Sequence, residues 1–140
     1  MRIKAGIIGC GGIANGKHMP SIKATGEIDL VAFCDIIKER ADKAALEYGA
    51  SGAKVFTDYK ELLELDLDAV YVCTPNRSHS FITVDALHSG KHVMCEKPMA
   101  INATEAKKML DAAIETGKVL TIGYQNRFRP DSQYLKKACK

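Results

Sequence analysis

Hydrophobic residues in this chain cluster into short, near-continuous runs, and longer amphipathic stretches separate them. Such runs are typical of strands whose two sheet faces are both covered by helices. They predict strands at residues 3–8, 30–34, 69–73, 92–95 and 119–122, with a weaker strand at 54–56 between the second and third of these.

The stretches between the predicted strands have helical periodicity. They predict helices at residues 13–24, 38–48, 58–65, 78–88 and 102–116, and a further amphipathic helix that begins at Asp131. Glycines at positions 49, 90 and 117 end three of these helices, which is the signal of a helix C-cap. Asn102, with Glu105 three residues later, resembles a capping box.

Six strands that alternate with helices favour one fold class. We expect an α/β fold, a doubly wound and mostly parallel sheet with right-handed crossovers and the strand order 3-2-1-4-5-6. Ligands of such sheets bind outside the carboxyl ends of the strands, at the point where the strand order reverses. The loops that follow the predicted strands are therefore where binding residues are expected.

Composition excludes several classes of protein. The chain has 140 residues, 46% hydrophobic and 26% charged, as in an ordinary soluble globular domain. Its net charge of +3 is spread over helical stretches that also carry Asp and Glu, so neither nucleic acid nor a membrane is an expected partner. No apolar run approaches the ~18–20 residues that span a bilayer, and the start of the chain lacks the apolar segment of a signal peptide.

Cysteine usage points to a reducing compartment. The chain has five cysteines, an odd number, and no two of them have C-x-x-C spacing. This argues against a disulfide framework or a zinc site, and no metal is expected. Cys34, Cys73 and Cys95 each close a hydrophobic run, where a thiol acts as a small apolar group. We therefore expect a cytoplasmic protein.

The first predicted strand leads directly into Gly9-Cys10-Gly11-Gly12-Ile13-Ala14, a G-x-G-x-x-A at a strand-to-helix turn. In this pattern the first glycine permits the tight turn, the second lets a pyrophosphate approach the backbone, and the small third residue lets the helix pack closely. The N–H groups that open the helix, at Gly12 and Ile13, then face the phosphates. Glycine turns are common, so this loop alone is weak evidence.

Asp35 strengthens the dinucleotide interpretation. It directly follows the second strand, where its carboxylate can accept both hydroxyls of an adenosine ribose, at a spacing slightly above the ~20 residues of the pattern. A carboxylate there repels a 2′-phosphate, which favours NAD over NADP. Lys38 and Arg40 lie close enough in the sequence to soften that preference. An Asp that only shapes the turn at the strand end is the alternative.

Residues 11–17 also read G-G-I-A-N-G-K, like the start of the phosphate-binding loop of ATPases. That motif needs Ser or Thr after the Lys to hold magnesium, and His18 stands there instead. In the dinucleotide interpretation Ile13 and Ala14 belong to the first turn of the helix. The ATPase interpretation is therefore disfavoured.

Polar residues also follow the strand predicted at 69–73, in the order Thr74-Pro75-Asn76 and then Ser78-His79. Thr74 and Asn76 can supply hydrogen bonds to a ligand at this edge, while Pro75 fixes the turn. Alternatively, Ser78 simply caps the next helix, with His79 in its first turn. Both interpretations can hold together.

The next predicted strand ends in Cys95-Glu96-Lys97-Pro98. Pro98 has no N–H to donate, and the peptide bond that precedes it can be cis. A Lys97 ammonium here can hydrogen-bond a substrate hydroxyl and lower the pKa of that hydroxyl for proton removal during hydride transfer. The alternative is a structural Glu–Lys pair at a strand end.

The last predicted strand leads into residues 123–130, which read G-Y-Q-N-R-F-R-P. Polar groups such as Asn126, at the rim of an otherwise apolar cleft, suit a sugar-like substrate or the nicotinamide end of a cofactor. They can equally pack against a following domain.

Five segments in this order, G-C-G-G-I-A, C-D-I, C-T-P-N-x-x-H, E-K-P-M-A and G-Y-Q-N-R-F-R-P, resemble the Gfo/Idh/MocA family of NAD(P)-dependent oxidoreductases. The similarity covers essentially all 140 residues. It implies that residues 1–124 form an NAD(P)-binding Rossmann domain. It also implies that residues 125–140 begin the connection to a C-terminal domain, which carries the substrate pocket and the contacts of a homo-oligomer.

The resemblance also implies roles for single residues. Lys97 acts in catalysis or orients the substrate and the nicotinamide, and the other candidates lie around the dinucleotide. The candidate cofactor-binding residues are Gly9, Gly11, Gly12, Ile13, Asp35, Thr74, Pro75, Asn76, His79, Glu96, Lys97 and Asn126.

The family's further catalytic residues, an Asp and a His in the second domain, have no counterpart among these 140 residues. We therefore expect the front part of a longer enzyme, which binds cofactor without turnover. The helix that begins at Asp131 and is still running at Lys140 favours this expectation, although a natural chain can also end in a helix.

The leading functional hypothesis is hydride transfer between NAD, or less readily NADP, and a hydroxyl or carbonyl of a sugar, cyclitol or related polyol. A non-catalytic dinucleotide-binding module that senses redox state or scaffolds partners is the alternative. The intact E-K-P segment disfavours it, because a sensor has no need of an aimed Lys. A reductase of imine or carboxylic-acid substrates on the same fold is a third hypothesis.

Overall fold

In the computed structural model, which describes residues 2–139, six parallel strands form one sheet in the order β3-β2-β1-β4-β5-β6. The predicted fold class and strand order are confirmed. The strands are β1 (Ile3–Ile8), β2 (Ile28–Cys34), β3 (Lys54–Phe56), β4 (Ala69–Val72), β5 (His92–Cys95) and β6 (Leu120–Ile122).

Helices cover both faces of the sheet. Within the described residues they are α1 (Met19–Thr25), α2 (Lys38–Tyr48), α3 (Tyr59–Leu63), α4 (His79–His88), α5 (Ala103–Thr116) and α6 (Pro130–Ala138). Short 3₁₀ turns follow β4 (Asn76–Ser78) and β6 (Gln125–Phe128). The helix predicted from Asp131 is α6, but it ends at Ala138 with Cys139 as its C-cap, so the expectation of an uncapped, continuing helix is wrong. No helix between residues 2 and 139 is both long and apolar enough to span a bilayer.

The segment predicted as a helix at residues 13–24 is helical throughout, but a π-helical turn (Ala14–His18) within it precedes α1. In this turn the N–H of Met19 donates to the carbonyl oxygen of Ala14, five residues earlier. Pro20 supplies the reason, since it has no N–H to donate four residues back and interrupts the regular α-helical ladder. The wider turn sets the direction of His18 at the start of α1.

The predicted glycine C-caps are confirmed at α2 and α5, where Gly49 and Gly117 are the cap residues. Gly117 follows α5 in the left-handed conformation with φ of 64°, and Gly90, with φ of 83°, lies one residue beyond the cap of α4. Gly49 is instead extended, with φ of −69°. A Cβ at Gly49 would contact the carbonyl oxygen of Ala45, so this position needs glycine for space rather than for a positive φ.

The capping box predicted at α5 forms only in part. The side chain of Asn102 accepts a hydrogen bond from the N–H of Glu105 at 2.9 Å. The Glu105 carboxylate pairs with Lys108 at 2.8 Å instead of reaching back to the cap. Asn102 therefore acts as a simple N-cap.

Alternate residues of β1 pack on opposite faces of the sheet. Ile7 belongs to a cluster with Met19 and Phe33 on the side of α1 and α2, whereas Ile8 packs with Leu62 and Leu87 on the side of α3 and α4. Both faces are therefore buried, as the continuous apolar runs predict. The double cover leaves the carboxyl ends of the strands as the open edge of the sheet.

The cysteines at the strand ends behave as apolar groups, as predicted. Cys34, Cys73 and Cys95 are buried free thiols, and so is Cys10 in the glycine loop. Burial raises the pKa of Cys10 and Cys34 to about 12 and that of Cys95 to about 11. These thiols therefore stay protonated at neutral pH.

Candidate functional site

A cavity of about 770 Å³ opens outside the carboxyl ends of β1, β2 and β4, where the strand order reverses. Its volume is within the range of sites that hold small molecules and cofactors. Five candidate residues line it, namely Gly9, Gly11, Asp35, Thr74 and Pro75, together with Arg40 from α2.

The three glycines of the glycine loop have two different physical roles. Gly9 has φ of +93°, and a Cβ added to it would lie 2.7 Å from the carbonyl carbon of Cys73. Glycine is thus required at position 9 so that the loop can pass close to the end of β4. A Cβ at Gly11 or Gly12 would meet nothing within 4 Å. This part of the loop presents bare backbone and is open enough for a pyrophosphate to approach.

Asp35 is tied to the glycine loop. Its Oδ2 accepts a hydrogen bond from the N–H of Cys10 at 2.9 Å, and its Oδ1 accepts one from the N–H of Ile37 at 2.9 Å. The second bond is the turn-shaping contact that the alternative interpretation describes. An ionised carboxylate accepts about four hydrogen bonds, so Asp35, which also lines the cavity, has acceptor capacity left for ribose hydroxyls.

The two basic residues after Asp35 differ in position. Lys38 pairs with Asp42 on the next turn of α2, at 2.7 Å. Arg40 lines the cavity. Of these two residues, Arg40 is therefore the better placed to meet a 2′-phosphate.

The loop after β4 is braced from within. The hydroxyl oxygen of Ser78 lies 2.9 Å from Thr74 Oγ1 and 2.8 Å from the carbonyl oxygen of Pro75. Ser78 is the N-cap residue of α4 and His79 lies in its first turn, as the alternative interpretation has it, but the Ser78 side chain makes no capping hydrogen bond. The hydroxyl holds the Thr74–Pro75 turn in shape instead, and Asn76 is exposed next to it.

His79 lies behind the loops rather than at their surface. The ring is fully buried, with Nδ1 at 2.7 Å from the carbonyl oxygen of Pro98 and Nε2 at 2.8 Å from that of Thr74. It therefore joins the loop after β4 to the loop after β5. Both ring nitrogens are engaged with carbonyl oxygens, which leaves neither of them to offer to a ligand.

Glu96 and Lys97 stand at the end of β5 with very different exposure. Glu96 is 6% exposed, and its Oε2 accepts a hydrogen bond from the backbone N–H of Lys97 at 3.0 Å. The Lys97 side chain is exposed, and the Lys97–Pro98 peptide bond is cis. Within residues 2–139 no carboxylate forms an ion pair with the Lys97 ammonium, so the structural Glu–Lys pair of the alternative interpretation does not form.

His18 is a site residue that the sequence interpretation missed. Its Nε2 lies 2.7 Å from Glu96 Oε1, and both side chains are largely buried. The two residues are 78 positions apart, so no local periodicity links them. In the sequence, His18 stands out only as the residue that is incompatible with the ATPase motif.

The candidates thus fall into two groups along one edge of the sheet. The cavity brings together the glycine loop, Asp35 and the Thr74–Pro75 turn. Glu96 and Lys97 lie past it at the end of β5, and Asn126 is exposed in the 3₁₀ turn beyond β6. This arrangement places an open glycine backbone and a carboxylate on one side, and an exposed ammonium on the other.

A family model described as an oxidoreductase family with an NAD-binding Rossmann fold matches residues 3–124. The chain belongs to this family, Gfo/Idh/MocA. D-glucoside 3-dehydrogenase of Escherichia coli (strain K12) is a Gfo/Idh/MocA relative, 39% identical over 135 residues, which are 96% of this chain and 38% of that protein. The matched region is thus the NAD(P)-binding Rossmann domain of a Gfo/Idh/MocA protein.

Solved structures of the same fold bind both forms of the cofactor. The WlbA dehydrogenase from Bordetella pertussis, solved with NADH and UDP-GlcNAcA, has a TM-score of 0.90 and 33% identity, over 99% of this chain and 42% of that one. KijD10, a 3-ketoreductase from Actinomadura kijaniata solved with NADP, has a TM-score of 0.90 and 28% identity, over 99% and 44%. The chain spans about two-fifths of the length of the proteins it matches.

Proposed function

We propose that this chain is the cofactor-binding part of an NAD-dependent dehydrogenase, which transfers hydride between NAD and a hydroxyl or carbonyl of a sugar, cyclitol or related polyol. The observation that carries the proposal is the 2.9 Å hydrogen bond from Cys10 to Asp35. It sets a ribose-binding carboxylate directly against an open glycine loop, which is the juxtaposition that an adenosine diphosphate group requires. The carbohydrate substrates in the names of the relatives support the substrate class.

The adenosine half of the dinucleotide binds in the cavity. The two ribose hydroxyls donate to Asp35, and the pyrophosphate meets the backbone N–H groups of Gly11, Gly12 and Ile13 at the start of the helical segment. The Thr74–Asn76 turn forms the opposite wall, and His79 holds that turn from behind. The fit follows from the open space at Gly11 and Gly12, where a side chain would block the approach.

The nicotinamide half lies toward Glu96, Lys97 and Asn126. When bound, the nicotinamide supplies the hydride chemistry. Lys97 donates a hydrogen bond from its ammonium to the substrate oxygen, which stabilises negative charge on that oxygen and so lowers the pKa of the substrate hydroxyl. The exposed side chain, which no carboxylate among the described residues engages, is free to do so.

NAD is the proposed cofactor because Asp35 takes the place where NADP carries its 2′-phosphate. The Asp35 carboxylate is already fixed by two backbone N–H groups and stays at the cavity wall. Arg40 favours NADP instead, since it lines the same cavity and can neutralise the charge of a 2′-phosphate. The relatives solved with NADH and with NADP support either choice in the family at large.

For the whole protein, we propose that residues 1–124 are the dinucleotide-binding domain and that residues 125–140 begin the connection to a C-terminal domain with the substrate pocket and oligomer contacts. The greater length of the relatives supports this division. The exposed apolar side chains of Phe128, Tyr134 and Leu135 also support it. A cytoplasmic location is proposed on the free thiols of the chain.

Calorimetric titration of the chain with NADH and with NADPH tests the proposal. We expect saturable NADH binding that weakens about tenfold or more in Asp35→Ala. Asp42→Ala is the matched control, because it removes an exposed carboxylate of the neighbouring helix and leaves NADH binding unchanged. Arg40→Ala should weaken NADPH binding only. A cooperatively unfolding chain that binds neither dinucleotide would contradict the proposal.

A further inference from the structure

A buried contact between His18 and Glu96 lies at the Glu96–Lys97 end of the site, just after β5. The sequence pattern did not indicate this contact. His18 Nε2 and Glu96 Oε1 are 2.7 Å apart, and the side chains are 16% and 8% exposed. Since an ionised carboxylate can only accept hydrogen bonds, the ring donates from Nε2. The ring itself packs at a tilt against Tyr71 of β4, with 5.9 Å between the ring centroids. This aromatic contact fixes the direction in which the donor points.

The Glu96 carboxylate is enclosed by three segments of the chain. Its Oε1 meets His18 from the π-helical turn, and its Oε2 meets the N–H of Lys97. Gly123, just after β6, completes the enclosure, since a Cβ there would lie 3.1 Å from Oε1. The carboxylate is therefore a fixed negative charge, and His18 supplies the side-chain donor that holds it.

We propose that His18 is a positioning residue for the nicotinamide end of the site, because its hydrogen bond to Glu96 keeps that carboxylate on the backbone of Lys97 and away from the Lys97 ammonium. The inference rests on the proposed function. Without the donor, Glu96 is free to turn and pair with the ammonium, which would occupy the group that meets the substrate. The fixed carboxylate also favours the oxidised nicotinamide, which is cationic, over the neutral reduced form.

The π-helical turn gives His18 this position. Such turns are frequent at functional sites, and here Met19 donates to Ala14 across one residue more than in an α-helix. If His18 has only a structural role, its substitution should change the stability of the fold and no more. If it is a positioning residue, the substitution should also change the relative affinities for ligands with and without the nicotinamide.

The test compares three ligands, NAD⁺, NADH and ADP-ribose, by titration of the 140-residue chain. In the unmodified chain NAD⁺ should bind more tightly than ADP-ribose, which has no nicotinamide. His18→Phe keeps the ring packing and removes the donor, so NAD⁺ binding should weaken about 5- to 10-fold, NADH binding less, and ADP-ribose binding less than about twofold. His18→Gln, whose amide N–H takes the place of Nε2, should restore most of the loss.

Two further variants keep the test decisive. Glu96→Gln has the same shape without the charge and should reproduce the selective loss of NAD⁺, even if His18→Phe does not fold. His88→Phe is the matched control, an exposed histidine at the end of α4 whose substitution should change no binding constant.

Each other outcome overturns the inference in a recognisable way. Equal losses for all three ligands, or no loss in a folded His18→Phe, would contradict the positioning role and leave the proposed function standing. Equal affinities of the unmodified chain for NAD⁺ and ADP-ribose would show that the nicotinamide is not at Glu96. Failure of all three ligands to bind the unmodified chain would refute the proposed function as well.

Discussion

The glycine loop with Asp35 and the Glu96–Lys97 segment share one edge of the sheet, yet different contacts hold them. In the first region the backbone holds the loop in place, through the positive φ of Gly9 and the N–H groups that donate to Asp35. In the second, buried histidine side chains hold the segment, with His18 on Glu96 and His79 on Pro98. The first region is thus held mainly by backbone groups, and the second by hydrogen bonds of buried histidine side chains.

Substitution of two of the loop glycines, Gly9 and Gly11, should give the largest difference in stability. Gly9→Ala combines a positive φ with a Cβ 2.7 Å from the backbone of Cys73, and we expect it to lower the free energy of unfolding by about 3 kcal/mol or more. Gly11→Ala meets open space and should stay within about 0.5 kcal/mol. Thermal unfolding followed by circular dichroism measures both.

The same pair separates folding from binding. Gly11→Ala should lose NADH affinity by about tenfold or more, because its methyl group stands where the pyrophosphate approaches. A folded Gly11→Ala that binds NADH like the unmodified chain would contradict the assignment of this loop to phosphate. A Gly9→Ala of unchanged stability would contradict the packing of the loop against β4.

A histidine substitution in the second region should have a smaller effect on stability. His79→Leu removes a buried ring whose nitrogens lie 2.7 Å and 2.8 Å from the carbonyl oxygens of Pro98 and Thr74, and with it the ring N–H donor, and should lower the free energy of unfolding by about 2 kcal/mol. His88→Leu is the matched control on the same helix, where the side chain is exposed, and should change stability by less than about 0.5 kcal/mol.

Chemical denaturation of the two variants gives the comparison directly. His79→Leu should also weaken NADH binding, since the Thr74 and Pro98 loops lose their link. Equal stabilities of His79→Leu and His88→Leu would show that side-chain contacts do not hold this region. The proposed difference between a region held by backbone groups and one held by histidine side chains would then be wrong.

The elements of the sheet could be predicted from sequence because their signals are local. The strand at 3–8 and the helix at 38–48 have the predicted bounds, since burial on both sheet faces and amphipathic spacing leave a clear hydrophobic pattern. The sequence pattern did not indicate backbone details within these elements. A π-helical turn precedes α1 at Pro20, and Gly49 caps α2 in an extended conformation rather than a left-handed one.

The site divides in the same way. The glycine loop and Asp35 could be proposed from spacing alone, because the geometry that a dinucleotide requires lies within one strand–helix–strand unit. The partnership of His18 with Glu96 could not, since the pattern of apolar residues does not specify which polar side chains meet across a sheet edge. The burial of His79 could not be predicted for the same reason.

In the proposed function one dinucleotide spans both regions of the sheet edge, and amide NMR of the ¹⁵N-labelled chain tests this claim. We expect both ADP-ribose and NADH to shift the amide signals of Gly11, Gly12 and Ile13, and NADH alone to shift those of Lys97 and Gly123 as well. If NADH shifts no signal that ADP-ribose leaves unchanged, or if both ligands perturb residues away from this edge, the claim is contradicted.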